Sequence, residues 1–145
     1  MATALSQQLK QTLATAFSFY LKAHNFHWNV VGPNFSEYHK FLNEVYDQVW
    51  EDVDKYAEHI RALDDISPGS YREFMQLTKI ADSIAPPSAM NMMITLANDN
   101  DIVRDQLRQT HALAEEAGEF GVLNFIEDRL DYHDKLHWML TAFGR

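Results

Sequence analysis

Apolar residues recur at helical spacing through four long stretches of this 145-residue chain. The first runs Leu5, Leu9, Leu13, Ala16, Phe17, Tyr20 and Leu21, then His24, His27 and Trp28. Steps of three and four place these residues along one side of a helix. Gly32-Pro33 ends it. Asn34 or Ser36 can cap the next helix, which carries Phe35, Tyr38, Leu42, Val45, Val49, Val53, Tyr56, Ile60 and Leu63. That helix stops near Asp64-Asp65, ahead of Pro68-Gly69. Ser70 and Glu73 have capping-box spacing, which predicts a short helix from Tyr71 to about Ile80. Pro86-Pro87-Ser88 opens a third long helix reaching Gly118, with Met90, Met93, Ala97, Leu107 and Ala114 on its apolar side. A tight turn at Glu119-Phe120-Gly121 starts a fourth. Its inner stripe reads Leu123, Ile126, Leu130, His133, His137 and Leu140, and Gly144 closes it.

No strand pattern interrupts this series. Four helices of about 25 residues predict an all-α fold, a four-helix bundle forming a single domain over residues 1–145. The first and second long helices make a short-loop hairpin, and so do the third and fourth. More than twenty residues join the two hairpins, long enough to run the length of the bundle and hold the short helix on its outside.

Composition excludes several classes. Apolar residues make up 46% and charged residues 23%, ordinary for a globular chain. No run of 18 apolar residues exists, so no membrane span is expected. The N-terminal stretch lacks a basic region and a clear apolar segment, so no signal peptide is expected. There are no cysteines, which rules out disulfides and thiolate metal sites and fits a cytoplasmic location. The formal net charge is −9. Before His24 the only basic residues are Lys10 and Lys22, and Arg145 stands alone at the other end. Direct DNA binding, which needs Lys and Arg against phosphates, is therefore disfavoured. The acidic surface either attracts cations or keeps the protein soluble.

Candidate chemistry begins at the first hairpin. His27 and His39 each lie six residues from Pro33. An antiparallel turn there sets them at one height, where they face one another, share a metal, or are unrelated. Further along the second helix, Asp54 and Glu58 are spaced i, i+4 and share a face. They form either a solvated acidic stripe or, with the two histidines, a ligand set suited to iron, manganese or zinc. His39 and Glu58 are 19 residues apart on one helix. At 1.5 Å per residue that is about 28 Å, too far for one ion within one chain. A second copy packed antiparallel across a two-fold axis brings the histidine end of one helix to the carboxylate end of the other. His133 and His137 also have chelating i, i+4 spacing, but they sit on the inner stripe and are expected to pack. His24 is expected to be a hydrogen-bonded structural histidine, and Trp28 a core or interface side chain that could also intercept a stray oxidising equivalent. His59 and His111 carry no signal.

The segment HNFHWNVVGPNF, followed by His39 and then DKYAEHI, resembles the Dps family, the mini-ferritins of starved bacterial cells. HDKLHWML, residues 133–140, is similar to the end of that family's last helix, and the likeness covers nearly the whole chain. It implies a ferritin-like bundle assembled as a hollow homo-dodecamer, with a ferroxidase centre at each two-fold interface. Iron(II) would be oxidised there, by hydrogen peroxide or oxygen, and stored as ferric mineral. Carried over by position, His27 and His39 come from one subunit and Asp54 and Glu58 from the other. Iron is the expected metal, with zinc or manganese as substitutes. Acidic residues near the start of the last long helix line pores in the family. Glu119 lies in the matching region, with Glu115, Glu116, Glu127 and Asp128 nearby and Asn124 where an acid is common.

Two positions depart from the family. Four residues after His39 the family usually has an aspartate, and here it is Asn43. An amide brings no negative charge and is a weaker ligand for a hard cation. Asp47 or Glu44 could compensate. The iron position that depends on His27, Asp54 and Glu58 is expected to survive, and the second, near His39, to be weakened. The alternative is a Dps-like shell that binds metal with impaired ferroxidase activity. The other departure is the missing lysine-rich tail, which resembles members that store iron and consume peroxide without binding DNA.

Overall fold

The computed structural model describes residues 2–144; Met1 and the solitary basic terminus Arg145 lie outside them. Five helices follow in order: α1 Ala4–Asn29, α2 Phe35–Ala62, α3 Tyr71–Leu77, α4 Ala89–Ala117 and α5 Phe120–Ala142. The described residues contain no strand. The four long helices form the bundle that the periodicity predicts, and α3 lies on the connection between α2 and α4.

Local chemistry sets the boundaries. Thr3 and Ser6 form a reciprocal capping box at the start of α1. The turn between α1 and α2 is made by Gly32 (φ 103°) and Asn34 (φ 64°), both left-handed. Asn34 is the N-cap residue of α2, yet its side chain makes no capping bond. Ser70 accepts from the Glu73 amide and opens α3, and Ser88 does the same for α4 through Asn91. Gly118 (φ 69°) ends α4 with a left-handed residue.

Three expectations need correction. α3 ends at Leu77, not near Ile80. The amides of Lys79 and Ile80 are taken by the hydroxyls of Thr15 and Thr78, so the chain leaves the helix to dock on α1. Phe120 and Gly121 lie inside the first turn of α5 rather than in a loop; the reversal is made by Gly118 and Glu119. The buried stripe of α5 is Val122, Phe125, Ile126, Arg129, His133, Leu136 and Leu140. Leu123 and Leu130 flank it, and His137 is only partly covered. Hydropathy misplaces the stripe because a cation, Arg129, holds one of its central positions.

One hydrophobic cluster runs through the bundle. Leu9, Leu13, Phe19 and Phe26 of α1 meet Leu42, Val49, Tyr56 and Ile60 of α2, with Leu96, Val103 and Leu107 of α4 and Ile126 and Leu136 of α5. Two ion pairs are buried within it: Arg129 with Asp52, tying α5 to α2, and Lys22 with Asp99, tying α1 to α4 at 2.7 Å. α3 packs outside α1, where Phe74 stacks on Phe17 with centroids 4.8 Å apart.

Candidate metal centre

The α1–α2 hairpin brings His27 and His39 together. Their rings lie nearly parallel (14°), with centroids 3.7 Å apart. His27 Nδ1 is 2.7 Å from the His39 carbonyl oxygen, and His39 Nδ1 is 2.8 Å from the His27 carbonyl oxygen. A carbonyl only accepts, so Nδ1 carries the hydrogen on both rings. In the neutral imidazole that leaves each Nε2 with its lone pair free, the state a metal ligand requires.

Asn43, one turn beyond His39, is already engaged. Its amide oxygen accepts the Tyr46 hydroxyl at 3.0 Å, and its NH2 donates to Asp47 at 2.9 Å. Asp47 is thus both exposed and held beside Asn43. Asp54 and Glu58 lie exposed on α2. A hydrogen bond to Asp54, reinforced by its charge, raises the Glu58 carboxyl above its ordinary pKa. A cation placed between the two carboxylates would relieve that repulsion. Among the described residues of the single chain, no three His, Asp or Glu side chains converge into a metal-binding group. The histidine pair, His27 from α1 and His39 from the start of α2, stands apart from the carboxylate pair further along α2.

Around the histidines lies an aromatic shell that the sequence analysis missed. Tyr46 stacks on His24 at 3.8 Å and meets His27 edge-on at 5.1 Å. Tyr20 packs against Trp50 at 4.8 Å, and its hydroxyl lies 2.9 Å from His24 Nδ1. That contact gives His24 the hydrogen-bonded role expected of it. Burial lowers the His24 pKa first, the nearby His27 lowers it further, and Asp47 opposes both. The i, i+4 spacing of Tyr20 and His24 was the available signal for this pair. Trp28 covers the outer face of His24 at 3.9 Å and is itself 61% exposed.

The remaining histidines are structural in this geometry. His133 is buried, with Nδ1 2.7 Å from Asn100 Oδ1. His137 Nδ1 is 3.2 Å from Asp101. His59 stacks on Phe125, and His111 reaches Glu127 at 3.0 Å, clipping α4 to α5 near the Gly118 turn. Glu119 and Asn124 are exposed at that turn. No helix among the described residues is long and apolar enough to cross a membrane.

The ferritin-like domain family model matches residues 6–144. The DNA protection during starvation protein of Brevibacillus brevis is 30% identical over 138 residues, covering 93% of this chain and 91% of that protein. Antigen TpF1 of Treponema pallidum is 31% identical over 140 residues, covering 96% of this chain and 79% of that protein. Among solved structures, the Dps protein of Vibrio cholerae O1, described as one of a broad superfamily of ferritin-like diiron-carboxylate proteins, superposes with a TM-score of 0.94. It is 28% identical and the match covers 97% of this chain and 89% of that one. With the bundle, the external short helix and these likenesses in agreement, the chain belongs to the Dps family of ferritin-like proteins, the mini-ferritins.

Proposed function

We propose that the protein oxidises iron(II) with hydrogen peroxide or oxygen at sites shared between two-fold-related subunits, and stores the ferric product inside a homo-dodecameric shell. Family membership supports the general role, iron storage and protection against oxidants. The observation that carries the site is the reciprocal bonding of His27 and His39, which frees both Nε2 atoms. In this reading His27 and His39 of one subunit meet Asp54 and Glu58 of the next. The antiparallel approach is required because about 28 Å of helix separates them within one chain. Imidazole and carboxylate also suit zinc and manganese, so these can occupy the same place.

Iron is the substrate. Two iron(II) ions supply the two electrons that, with two protons, reduce one peroxide to two waters. Carboxylates bind iron(III) more strongly than iron(II), so Asp54 and Glu58 favour oxidation where it occurs. Paired delivery of electrons avoids hydroxyl radical. The net charge of −9 weighs against duplex DNA as a partner.

A second reading is favoured by Asn43. Both ends of its amide are occupied, by Tyr46 and Asp47, and neither supplies charge to an iron near His39. A shell that binds one metal per site and oxidises slowly fits that observation.

The test is iron(II) oxidation by metal-free protein, started with peroxide or air and followed by ferric absorbance, beside Glu58→Ala. Fast oxidation with a soluble ferric product, lost in the variant, supports the interface site. A rate equal to buffer removes the ferroxidase reading and leaves a metal-binding shell.

A further inference from the structure

Opposite its core-facing side, α2 carries a second stripe in steps of three and four: His39, Asn43, Asp47, Trp50, Asp54 and Glu58. The buried stripe of Leu42, Val45, Val49, Asp52, Tyr56 and Ile60 faces the other way. Trp50 is the one large apolar member of the outer stripe, and it is 52% exposed. Its ring rests on Tyr20 at 4.8 Å, and among the described residues its indole N–H meets no acceptor. An aromatic ring left half in water with a free donor is the kind of side chain that anchors an interface.

The two-subunit site fixes what lies opposite Trp50. His39 opposite Glu58 and Asn43 opposite Asp54 belong to one antiparallel register, because four residues forward on one helix are four residues back on the other. The next step of four sets Asp47 opposite Trp50. The two-fold axis then crosses between Gln48 and Val49, and the pair occurs once on each side of it, as an isologous contact requires. Asp47 is chemically matched to the indole. One of its carboxylate oxygens accepts the Asn43 amide at 2.9 Å, and the other has no donor among the described residues. The indole N–H only donates and an ionised carboxylate only accepts. Donor and acceptor stand on the same helix in self-complementary register, so the occupant of this face is a second copy of the chain.

We propose, on the premise of that two-subunit site, that Trp50 donates its indole N–H to Asp47 of the second copy, anchoring the two-fold interface and tying Asp47 to the axis instead of to the metal. The bond acts within each subunit as well. Held from both sides, Asp47 keeps Asn43 turned to Tyr46. A chain of hydrogen bonds then runs from the axis through Trp50, Asp47 and Asn43 to Tyr46, which stacks on His24 and meets His27 edge-on. Asp47 is thereby removed as a substitute for the carboxylate that Asn43 lacks.

The experiment has two arms, both on metal-free protein. The chain has no cysteine, so introduced thiols are the only ones. Asn43→Cys combined with Asp54→Cys is treated with a short bis-maleimide and run on a denaturing gel. Covalent dimer is expected. Either substitution alone gives none, because each thiol lies 11 residues of helix, about 16 Å, from its own copy across the axis. The second arm follows dissociation of the assembly in guanidinium by light scattering for Trp50→Phe, Asp47→Ala and the double variant. Phe keeps a ring over Tyr20 and removes only the donor, so folding is not at stake. Its apparent dissociation constant should rise at least about tenfold, as expected for loss of a hydrogen bond to a charged group. The double variant should dissociate no more easily than the weaker single one. Covalent dimer with Trp50→Phe dissociating like the parent, or with losses that add in the double variant, overturns the Trp50–Asp47 pair and leaves the two-subunit site intact. Absence of covalent dimer overturns both.

Discussion

His27 and His39 each donate Nδ1–H to the backbone carbonyl of the other residue, not to its side chain. Either imidazole can therefore be removed without releasing the other from its tautomer. The two single variants should then report the ligands separately. Hydrogen bonds to metal-ligating imidazoles are themselves worth about 10–100-fold in affinity, so loss of a ligand costs at least about tenfold. His27→Ala is expected to weaken the first iron(II) bound by that amount or more. His39→Ala should leave the first ion nearly unchanged and affect only a second. Anaerobic iron(II) or zinc(II) titration by calorimetry checks this. Equal losses in both variants would show that the histidines serve one ion.

Asn43→Asp should strengthen the second position. The new carboxylate can still accept the Tyr46 hydroxyl, while the bond to Asp47 gives way to an i, i+4 repulsion of about 0.2–0.5 kcal/mol. That small penalty is the cost of adding a charged ligand near His39. More iron bound per interface and faster peroxide-driven oxidation are expected in stopped-flow traces. An isotherm and rate identical to the parent would mean that Asn43 stands outside the metal centre.

The bundle was legible because apolar steps of three and four residues run unbroken through four segments. The hairpin placement of His27 and His39 was legible because Gly32-Pro33 fixes the turn between them. The caps at Ser70 and Ser88 followed from short-range chemistry. What sequence hid was polar burial. Arg129 and Asp52 lie at core positions 77 residues apart, and no periodicity links two charges that cancel across the bundle. Lys22 and Asp99 are hidden in the same way. Tyr46 escaped notice because its role depends on His24 and His27 from another helix. The end of α3 depends on Thr15 of α1, which takes the Lys79 amide, and that contact has no local signature.

The Arg129–Asp52 pair should be costly to halve. Asp52 is 2% exposed, and Arg129 Nε has no partner among the described residues. Arg129→Leu strands the Asp52 carboxylate in the core, with an expected loss of about 3–5 kcal/mol. Replacing both, as Asp52→Leu with Arg129→Met, should recover most of it, since an apolar pair of similar volume carries no buried charge. Urea unfolding of the two variants gives the comparison. A double variant as unstable as the single would mean that the pair contributes geometry an apolar core cannot reproduce.

His133 should make the fold acid-sensitive. It packs edge-on against Phe19 at 5.9 Å and bonds through Nδ1 to Asn100. Burial, with the like charges of Arg129 and Arg104, lowers its pKa from 6.5 to about 3. The native ring therefore stays neutral where the unfolded ring takes a proton. Below pH 6.5 the unfolded state binds more protons, so stability falls as pH falls and levels off near pH 3. His133→Gln keeps a polar group for Asn100 but cannot titrate. It should be less stable at pH 7.5, because the ring leaves a gap beside Phe19, yet lose less of its melting temperature between pH 7.5 and pH 4.5 than the parent does. Parallel losses in the two proteins would place the acid response elsewhere. Asp65 cannot account for a response in that interval. Hydrogen bonds from Lys10, Ser6 and the Ile66 amide hold its pKa at about 2 against an ordinary 3.8, so its contribution is complete above that value and lost only as pH falls through about 2.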